Sequence, residues 1–409
     1  MTVLGALGNP QEKLPPAVHV AGTNGKGSTV AFLRAMAAAQ GLRAHVYTSP
    51  HLVKFNERIT VAGEDISDDA LADVLDRIIT ANGDAPLTFF EATTAAMFLA
   101  FSENPADIAI IEVGLGGRFD ATNVFTPAVS VITPIDYDHA EFLGRNLAGI
   151  AREKAGIMKR HTPVIAGRQS DLVGAVLRAE SQKTGSPMQV WGEDFRAYSQ
   201  QGKLVFETDT QLLDLPLPAL KGAHQIENAG TAIAAAKAML ISDDAIAKGL
   251  QNAVWPARMQ PLTSGALAEM TAEAGAELWL DGGHNKQAGA AVAAVMADLE
   301  AKDPRPLILI MGILANKDAG GYLDAFEGLA SCVIAANIDG HAALAPETLC
   351  ELARTRGMVG QISDNLIDAV QRAINTGEAL SRENAAELKT PPRILICGSL
   401  YLAGQVLAL

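Results

Sequence analysis

The stretch Val18-His-Val-Ala-Gly-Thr-Asn-Gly-Lys-Gly-Ser-Thr29, followed at once by Val30-Ala-Phe-Leu-Arg-Ala-Met-Ala-Ala-Ala-Gln40, decides the architecture to expect. A short β-branched run leads into a glycine-rich turn. The turn opens into an alanine-rich segment of high helix propensity, with Gly41 where a C-terminal cap would stand. Strand, loop and helix in that order form a phosphate cradle: glycines let backbone N–H groups converge on anionic oxygens, and the helix N-terminus adds partial positive charge. Lys26 supplies a full charge, and Ser28 or Thr29 a hydroxyl for a phosphate-bound magnesium. The stretch departs from the G-x-x-x-x-G-K-[ST] pattern, because Gly27 follows the lysine and Val20 takes the place of the first glycine. From these residues alone, an ordinary glycine-rich turn between strand and helix is the competing reading.

The same alternation repeats downstream. Arg43-Ala-His-Val-Tyr47 reads as a second strand, ending in Thr48-Ser-Pro-His-Leu52, and residues 57–63 alternate like an edge strand. Ser67-Asp-Asp69 caps a helix reaching about residue 80, and another helix starts at Thr88-Phe-Phe-Glu91. Ile108-Ala-Ile-Ile-Glu-Val113, Val129-Ser-Val-Ile-Thr133 and Pro163-Val-Ile-Ala166 are continuous apolar runs, the pattern of parallel strands buried on both faces. Residues 191–220 read as a small antiparallel addition, helices follow over 226–240 and 244–252, and Trp255-Pro-Ala-Arg258 reads as a hinge. The rhythm resumes with strands at 278–280, 307–310, 332–335 and 394–397, while 375–392 reads as a surface loop with a helical start. The expectation is an α/β chain in two domains. Residues 1–258 form a mostly parallel sheet carrying the phosphate loop and the antiparallel addition; residues 259–409 form a Rossmann-like α/β domain.

Composition agrees with that size. The 409 residues are 49% apolar and only 19% charged, enough to bury two cores. A formal net charge of −14 argues against a nucleic-acid partner, which needs a basic face, but leaves room for anionic small molecules met by local charge. Cys332, Cys350 and Cys397 are scattered, forming neither a disulfide framework nor a zinc pattern. No signal peptide opens the chain, and the longest apolar candidate, Ala95-Ala-Met-Phe-Leu-Ala-Phe101, is too short to span a membrane. A soluble cytoplasmic protein is expected.

Open α/β sheets bind ligands at the C-terminal ends of their strands. Ser49, Glu112 and the pair Asp138-His139 fall there, beside the phosphate loop. A hydroxyl, a carboxylate and an imidazole so placed can complete a magnesium site for a nucleoside triphosphate. Taken singly, Glu112 reads first as a strand-end ion-pair partner, His139 as a loop histidine, and Lys154 as a surface helix lysine paired with a carboxylate. Gly114-Leu-Gly-Gly117 fails as a dinucleotide fingerprint, since Phe119 occupies the third glycine position; it reads as a turn carrying Arg118 and Asp120 toward a substrate.

Taken together, Ala21-Gly-Thr-Asn-Gly-Lys-Gly-Ser28, Thr48-Ser-Pro-His-Leu52, Phe89-Phe-Glu91, Glu112-Val-Gly-Leu-Gly-Gly-Arg-Phe-Asp-Ala-Thr-Asn123 and Asp138-His139 resemble successive blocks of the folylpolyglutamate synthase/dihydrofolate synthase family. So do Arg152-Glu-Lys-Ala-Gly-Ile157, His224-Gln-Ile-Glu-Asn228, Gly312 with Lys317-Asp318, and Cys397-Gly-Ser399. The family is a branch of the Mur-type ATP-dependent amide ligases. The resemblance implies that Asn24, Gly25, Lys26, Gly27, Ser28 and Thr29 bind ATP, with Asn228, Arg258 and Asp281 meeting the nucleotide from the domain interface. It gives Ser49, Glu112 and His139 to Mg2+. Thr88, Phe89, Phe90, Glu91, Phe119, Asp120, Ala121 and His284 would bind substrate. Lys26, His139 and Lys154 would serve the chemistry, Lys154 matching a lysine that this family carbamylates to help hold a second magnesium.

The implied reaction phosphorylates a carboxylate of dihydropteroate or a reduced folate with ATP and then forms an amide with L-glutamate. Arg258 at the hinge would bring the second domain onto the nucleotide and exclude water. A monomer with small-molecule partners is expected. The other readings are a Mur-type ligase acting on a cell-wall precursor and a nucleotide-binding regulator without ligase activity. Three departures stand out. Met1-Thr-Val-Leu-Gly-Ala-Leu-Gly-Asn-Pro10 comes only a few residues before the first strand, where the family carries a further helical segment contributing to the pterin pocket, so either the start is truncated or that wall comes from elsewhere. In Asp281-Gly-Gly-His-Asn-Lys286, Gly283 and Lys286 replace an alanine and a proline, and Lys286 reads as solvated. Ala257 replaces the glycine before the hinge arginine, which is expected to stiffen the hinge.

Overall fold

The computed structural model describes residues 2–138, 140–383 and 390–409. It divides into two compact units, Met1–Ala219 with His224–Trp255, and Leu220–Ala223 with Pro256–Leu409.

The first unit is built on eight strands: β1 (Ala17–Ala21), β2 (Ala44–Tyr47), β3 (Ile59–Val61), β4 (Glu64–Asp65), β5 (Ile108–Glu112), β6 (Val129–Ile132), β7 (Val164–Ala166) and β8 (Met188–Val190). They lie in the order β4-β3-β2-β5-β1-β6-β7-β8, parallel from β2 to β8, with β3 and β4 added antiparallel at one edge. β1 and β5 are buried at every position, as central strands covered on both faces of a parallel sheet are, including the polar His19 and Glu112. Because β1 lies between β5 and β6, the chain departs from it to opposite sides, and the crevice this opens faces the C-terminal strand ends. β9 (Phe195–Gln200), β10 (Lys203–Thr208) and β11 (Leu212–Pro216) form the separate antiparallel sheet. Gln201 and Gly202, both at positive φ, make the two-residue turn between the first two.

Local capping sets the helices where the sequence predicts them. Ser67 accepts from the Ala70 amide at the head of helix Asp68–Asn82, and Thr88 and Glu91 form a reciprocal capping box on helix Phe89–Glu103. The edge strand predicted from residue 57 begins later. Glu57 collects the amides of Leu52, Val53 and Lys54 at 2.7, 3.0 and 2.8 Å, which winds Phe55–Arg58 into a 3-10 turn and leaves only Ile59–Val61 to pair with β2. Upstream of β1, Thr2–Ala6 is itself helical, and Val3 and Leu4 are buried in the core that includes Val74, Ile78 and Phe98.

The second unit holds β12 (Gln260–Pro261), β13 (Glu277–Leu280), β14 (Leu307–Met311), β15 (Ala330–Ala335), β16 (Val359–Ile362) and β17 (Arg393–Cys397), ordered β12-β13-β17-β14-β15-β16 and parallel except for β12. The sequence revealed the four central strands but neither edge. β16, Val-Gly-Gln-Ile, is half exposed and has no apolar run to betray it. The stretch at 375–392 is more helical than expected, since helix Leu366–Glu383 runs through its first part, and residues 384–389 lie outside the described residues.

Ala257 and Met259 both take left-handed backbone conformations, with φ of 54° and 43°. The glycine missing at 257 is therefore one the backbone would have used, and Ala257 is held there with strain of about 1 kcal/mol. Ala257→Gly is expected to raise the thermal midpoint of the full chain by about 2–4 °C, measured by calorimetry. A lowered midpoint would mean that the strain is relieved elsewhere.

Candidate active site

The phosphate loop is stapled to the segment that follows β6. The amides of Thr23 and Asn24 both donate to the Pro134 carbonyl, at 2.9 and 3.2 Å, and the Thr23 hydroxyl bonds the Asp136 backbone. Gly25 has a φ of 84°, and a Cβ there would collide with Asn228 Oδ1. A Cβ at Gly27 would come within 2.6 Å of the Trp255 ring. That indole explains the unusual Lys-Gly-Ser order: where the common motif places a hydroxyl residue, this chain packs a tryptophan. No side chain among the described residues caps helix Lys26–Ala39, so its first amides present an anion-binding N-terminus. Thr29 Oγ, fully buried in its first turn, has no hydrogen-bond partner among the described residues.

Three charged groups converge on this loop. Lys26 Nζ lies 3.8 Å from Glu112 Oε1, at the end of β5, and Glu112 Oε2 accepts from the Ser49 amide just past β2 at 3.3 Å. Lys154, at the end of helix Leu147–Lys154, is buried and donates to the Gly22 carbonyl at 2.8 Å. The reading of Lys154 as a surface lysine is thus corrected, because its stem runs inward under the loop. Burial first, and the neighbouring Lys26 charge second, push its amine down to about 7 against the opposing pull of Asp138 and Asp120. His139 lies outside the described residues. The buried Glu112 carboxylate beside the helix N-terminus suits a hard divalent cation. No group of three His, Cys, Asp or Glu side chains forms a metal cage among the described residues. A magnesium ion here would share its coordination with phosphate oxygens and water.

The substrate candidates of the first unit have different tasks. Thr88 and Glu91 bond each other in the helix cap, the Thr88 hydroxyl donating to Glu91 at 2.6 Å. Phe90 packs so closely on Gly114 that any side chain there would collide with its ring. Phe89 is 65% exposed and Phe119 86% exposed, apolar surface that a flat ring could cover. The Asp120 carboxylate is buried and takes the amides of Leu115 and Thr122 and the Thr122 hydroxyl, so it shapes the loop bearing Phe119 and Ala121. Residues the sequence did not single out join here. Arg58 donates to His51 Nδ1 at 2.9 Å and lies over the rings of Phe55 and Phe89. His51 lies in the Thr48-Ser-Pro-His-Leu52 block, whereas Phe55 and Arg58 had no sequence signal beyond their closeness to Ser49.

Asn228 is buried on helix Ala223–Ala238 and donates to Gln225 at 3.1 Å. In the second unit, Asp281 is buried with both oxygens engaged, Oδ2 by the Met259 amide at 2.9 Å and Oδ1 by the Gly283 amide at 2.7 Å. It thereby fixes the strained Met259 backbone just after Arg258, whose guanidinium donates to the Ala257 carbonyl, while the Ala257 amide donates to Gln260 Oε1. His284 Nδ1 lies 3.2 Å from the Gly282 carbonyl, and Lys286 is exposed at the head of helix Lys286–Lys302.

Comparison with known proteins identifies the family. The Mur ligase middle domain matches residues 20–236, and the dihydrofolate synthetase C-terminal domain matches 266–409. A folylpolyglutamate synthase of Lacticaseibacillus casei is 33% identical, over 99% of this chain and 92% of the relative. The solved E. coli FolC in complex with DHPP and ADP superposes with a TM-score of 0.86 at 30% identity, covering 100% of this chain and 91% of that one. A bifunctional folylpolyglutamate synthase/dihydrofolate synthase with Mn, AMPPNP and L-glutamate bound gives a TM-score of 0.84 at 28% identity, covering 99% and 92%. The chain belongs to the folylpolyglutamate synthase/dihydrofolate synthase family, a branch of the Mur ligases.

Proposed function

We propose that this chain uses ATP to join L-glutamate to the carboxylate of dihydropteroate and of reduced folates. The observation that supports it most is the convergence of Lys26, Glu112 and Lys154 on the glycine loop at the C-terminal strand ends. A carboxylate resists attack by an amine because its charge repels the nucleophile and oxide is a poor leaving group. In the first step a substrate carboxylate oxygen bonds to the γ-phosphorus while ADP departs with the bridging oxygen, leaving an acyl phosphate. The glutamate amino group then attacks the acyl carbon, phosphate leaves with the electron pair of the broken C–O bond, and the nitrogen loses a proton.

In this reading the amides opening helix Lys26–Ala39 bind the phosphates, with Asn24, Ser28 and Thr29 beside them, and Lys26 meets charge on the transferring group. Ser49, Glu112 and His139 would hold a magnesium ion, which would neutralise phosphate oxygens. Phe89, Phe90, Phe119 and Ala121 offer apolar surface to the pterin, while Thr88, Glu91 and Asp120 fix the backbone that presents them. Asn228 sits against Gly25 in the phosphate loop, and Arg258, next to the Met259 amide that Asp281 holds, is assigned to the nucleotide as His284 is to substrate. Lys154, neutral above about pH 7, can add through its nitrogen to the carbon of CO2 and release a proton to give a carbamate.

No helix among the described residues is long and apolar enough to cross a membrane. The three cysteines are buried free thiols, which supports a reducing cytoplasm as the place of action; the proposed monomer is checked by sedimentation. The activity is tested by following ATP consumption with glutamate plus dihydropteroate, then tetrahydrofolate, then a cell-wall nucleotide precursor. Turnover with the first two is the expected result. Turnover with the third alone, or with none, replaces this reading by a cell-wall ligase or by a regulator.

A further inference from the structure

His19 is the one polar residue of β1, whose other members are Ala17, Val18, Val20 and Ala21, and it is fully buried. Its Nε2 lies 2.9 Å from Thr122 Oγ, and Thr122 Oγ lies 2.5 Å from Asp120 Oδ1. An ionised carboxylate can only accept, and this one also receives the Thr122 and Leu115 amides at 3.0 and 2.8 Å, so the Thr122 hydroxyl proton points to Asp120. Thr122 Oγ must then accept from the ring, which places the imidazole proton on Nε2. The other nitrogen, Nδ1, is left bare and has no hydrogen-bond partner among the described residues. Burial holds the ring neutral, with Lys159 opposing its protonation further.

A leucine at position 19 would fill the same layer against Phe125 without stranding a lone pair. The histidine is therefore accounted for by the hydrogen bond it gives. The far end of that bond is the loop 114–123, which is clamped again where Asn123 donates to the Gly156 carbonyl at 3.0 Å, two residues beyond Lys154. The near end is the strand that runs directly into the phosphate loop.

We propose that His19 is a positioning residue: through Thr122 and Asp120 it ties the loop bearing Phe119 and Ala121 to β1, setting the pteroate site relative to the phosphate loop. This rests on the reading that the loop meets the pteroate. Its consequence is selective, because losing the tie lets the pteroate loop drift while the helix N-terminus that meets ATP stays in place.

Kinetics of His19→Leu, His19→Gln, Thr122→Val and Thr122→Ser test it. Glutamine keeps an N–H at the reach of Nε2, and serine keeps the hydroxyl. His19→Leu and Thr122→Val are expected to raise KM for dihydropteroate about tenfold with KM for ATP within about twofold, a difference of ~1.4 kcal/mol. Gln and Ser should recover most of the loss, and the Leu/Val double variant should be no worse than either single one. Equal KM for His19→Gln and His19→Leu, or parallel rises for both substrates, would overturn the proposal. Nitrogen-15 NMR of histidine-labelled wild-type protein provides a second measurement that needs neither a variant nor turnover. A neutral Nε2–H tautomer of His19 at pH 6 is expected, and an Nδ1–H tautomer or a charged ring overturns the relay. Absence of pteroate turnover in the wild type would instead count against the proposed function, leaving the tautomer result to judge the relay.

Discussion

Lys26→Ala is expected to cut glutamate-dependent phosphate release by about 10³-fold, the loss typical when one preorganised charge facing a transition state is removed. Lys26 places a full positive charge at the mouth of the glycine loop, 3.8 Å from the Glu112 carboxylate. Its removal has two effects of different size. On the reaction it withdraws charge from the transferring phosphoryl group, which should appear in kcat more than in the KM for pteroate. On the fold it leaves the buried Glu112 carboxylate with less compensation, costing about 2 kcal/mol; the Ser49 amide still donates to it, so the unit stays folded. Initial rates of phosphate release and a thermal melt on the same preparation separate the two. A rate within tenfold of wild type would remove Lys26 from phosphoryl transfer.

Much of the architecture could be read from the chain because parallel strands buried on both faces write themselves as unbroken apolar runs. β5, β6, β14, β15 and β17 were visible in that way, and β1 as a β-branched run leading into the glycine turn. Edges were not. β12 has two residues, β16 is nowhere fully buried, and Glu57 spent its carboxylate on a turn where alternation suggested a strand. The site was legible to the extent that its groups sit at strand ends, where topology alone collects Ser49 and Glu112 beside the loop.

What the chain hid were partnerships made across long separations. Nothing near Gly27 announces that Trp255 will press against it, and nothing near Asp281 announces that its carboxylate will fasten the backbone around Arg258. A motif names the residue types that chemistry needs; the packing that makes a glycine obligatory, or turns an acid inward to hold a neighbour, comes from the fold. Lys154 shows the gap most clearly, since taken singly it read as a surface helix lysine and the fold buries it under Gly22.

Lys154→Met is expected to abolish activity while making the protein more stable at low pH. In the unfolded chain this amine titrates near 10.5, and in the native protein near 7, because burial and the Lys26 charge both disfavour the cation. Between those two values the unfolded state binds the extra proton, so native stability must rise with pH across that window. Below about pH 7 the folded protein carries a desolvated charge and bears the whole penalty. Methionine keeps the length and apolar stem but has nothing to protonate, and loses the bond to the Gly22 carbonyl, a smaller term of about 1 kcal/mol. The stability gained by the variant should therefore be largest at pH 6 and shrink by about 2–3 kcal/mol by pH 9. Urea unfolding at the two pH values measures the difference directly, and a pH-independent difference would show that Lys154 titrates normally. Activity reports the other half. If the neutral amine is the form that captures CO2, wild-type turnover should rise with added bicarbonate at pH 8, and carbon-13 bicarbonate should give a carbamate resonance that Lys154→Met lacks. A resonance that survives the substitution would move the carbamate to another amine and leave Lys154 only its bond to the loop.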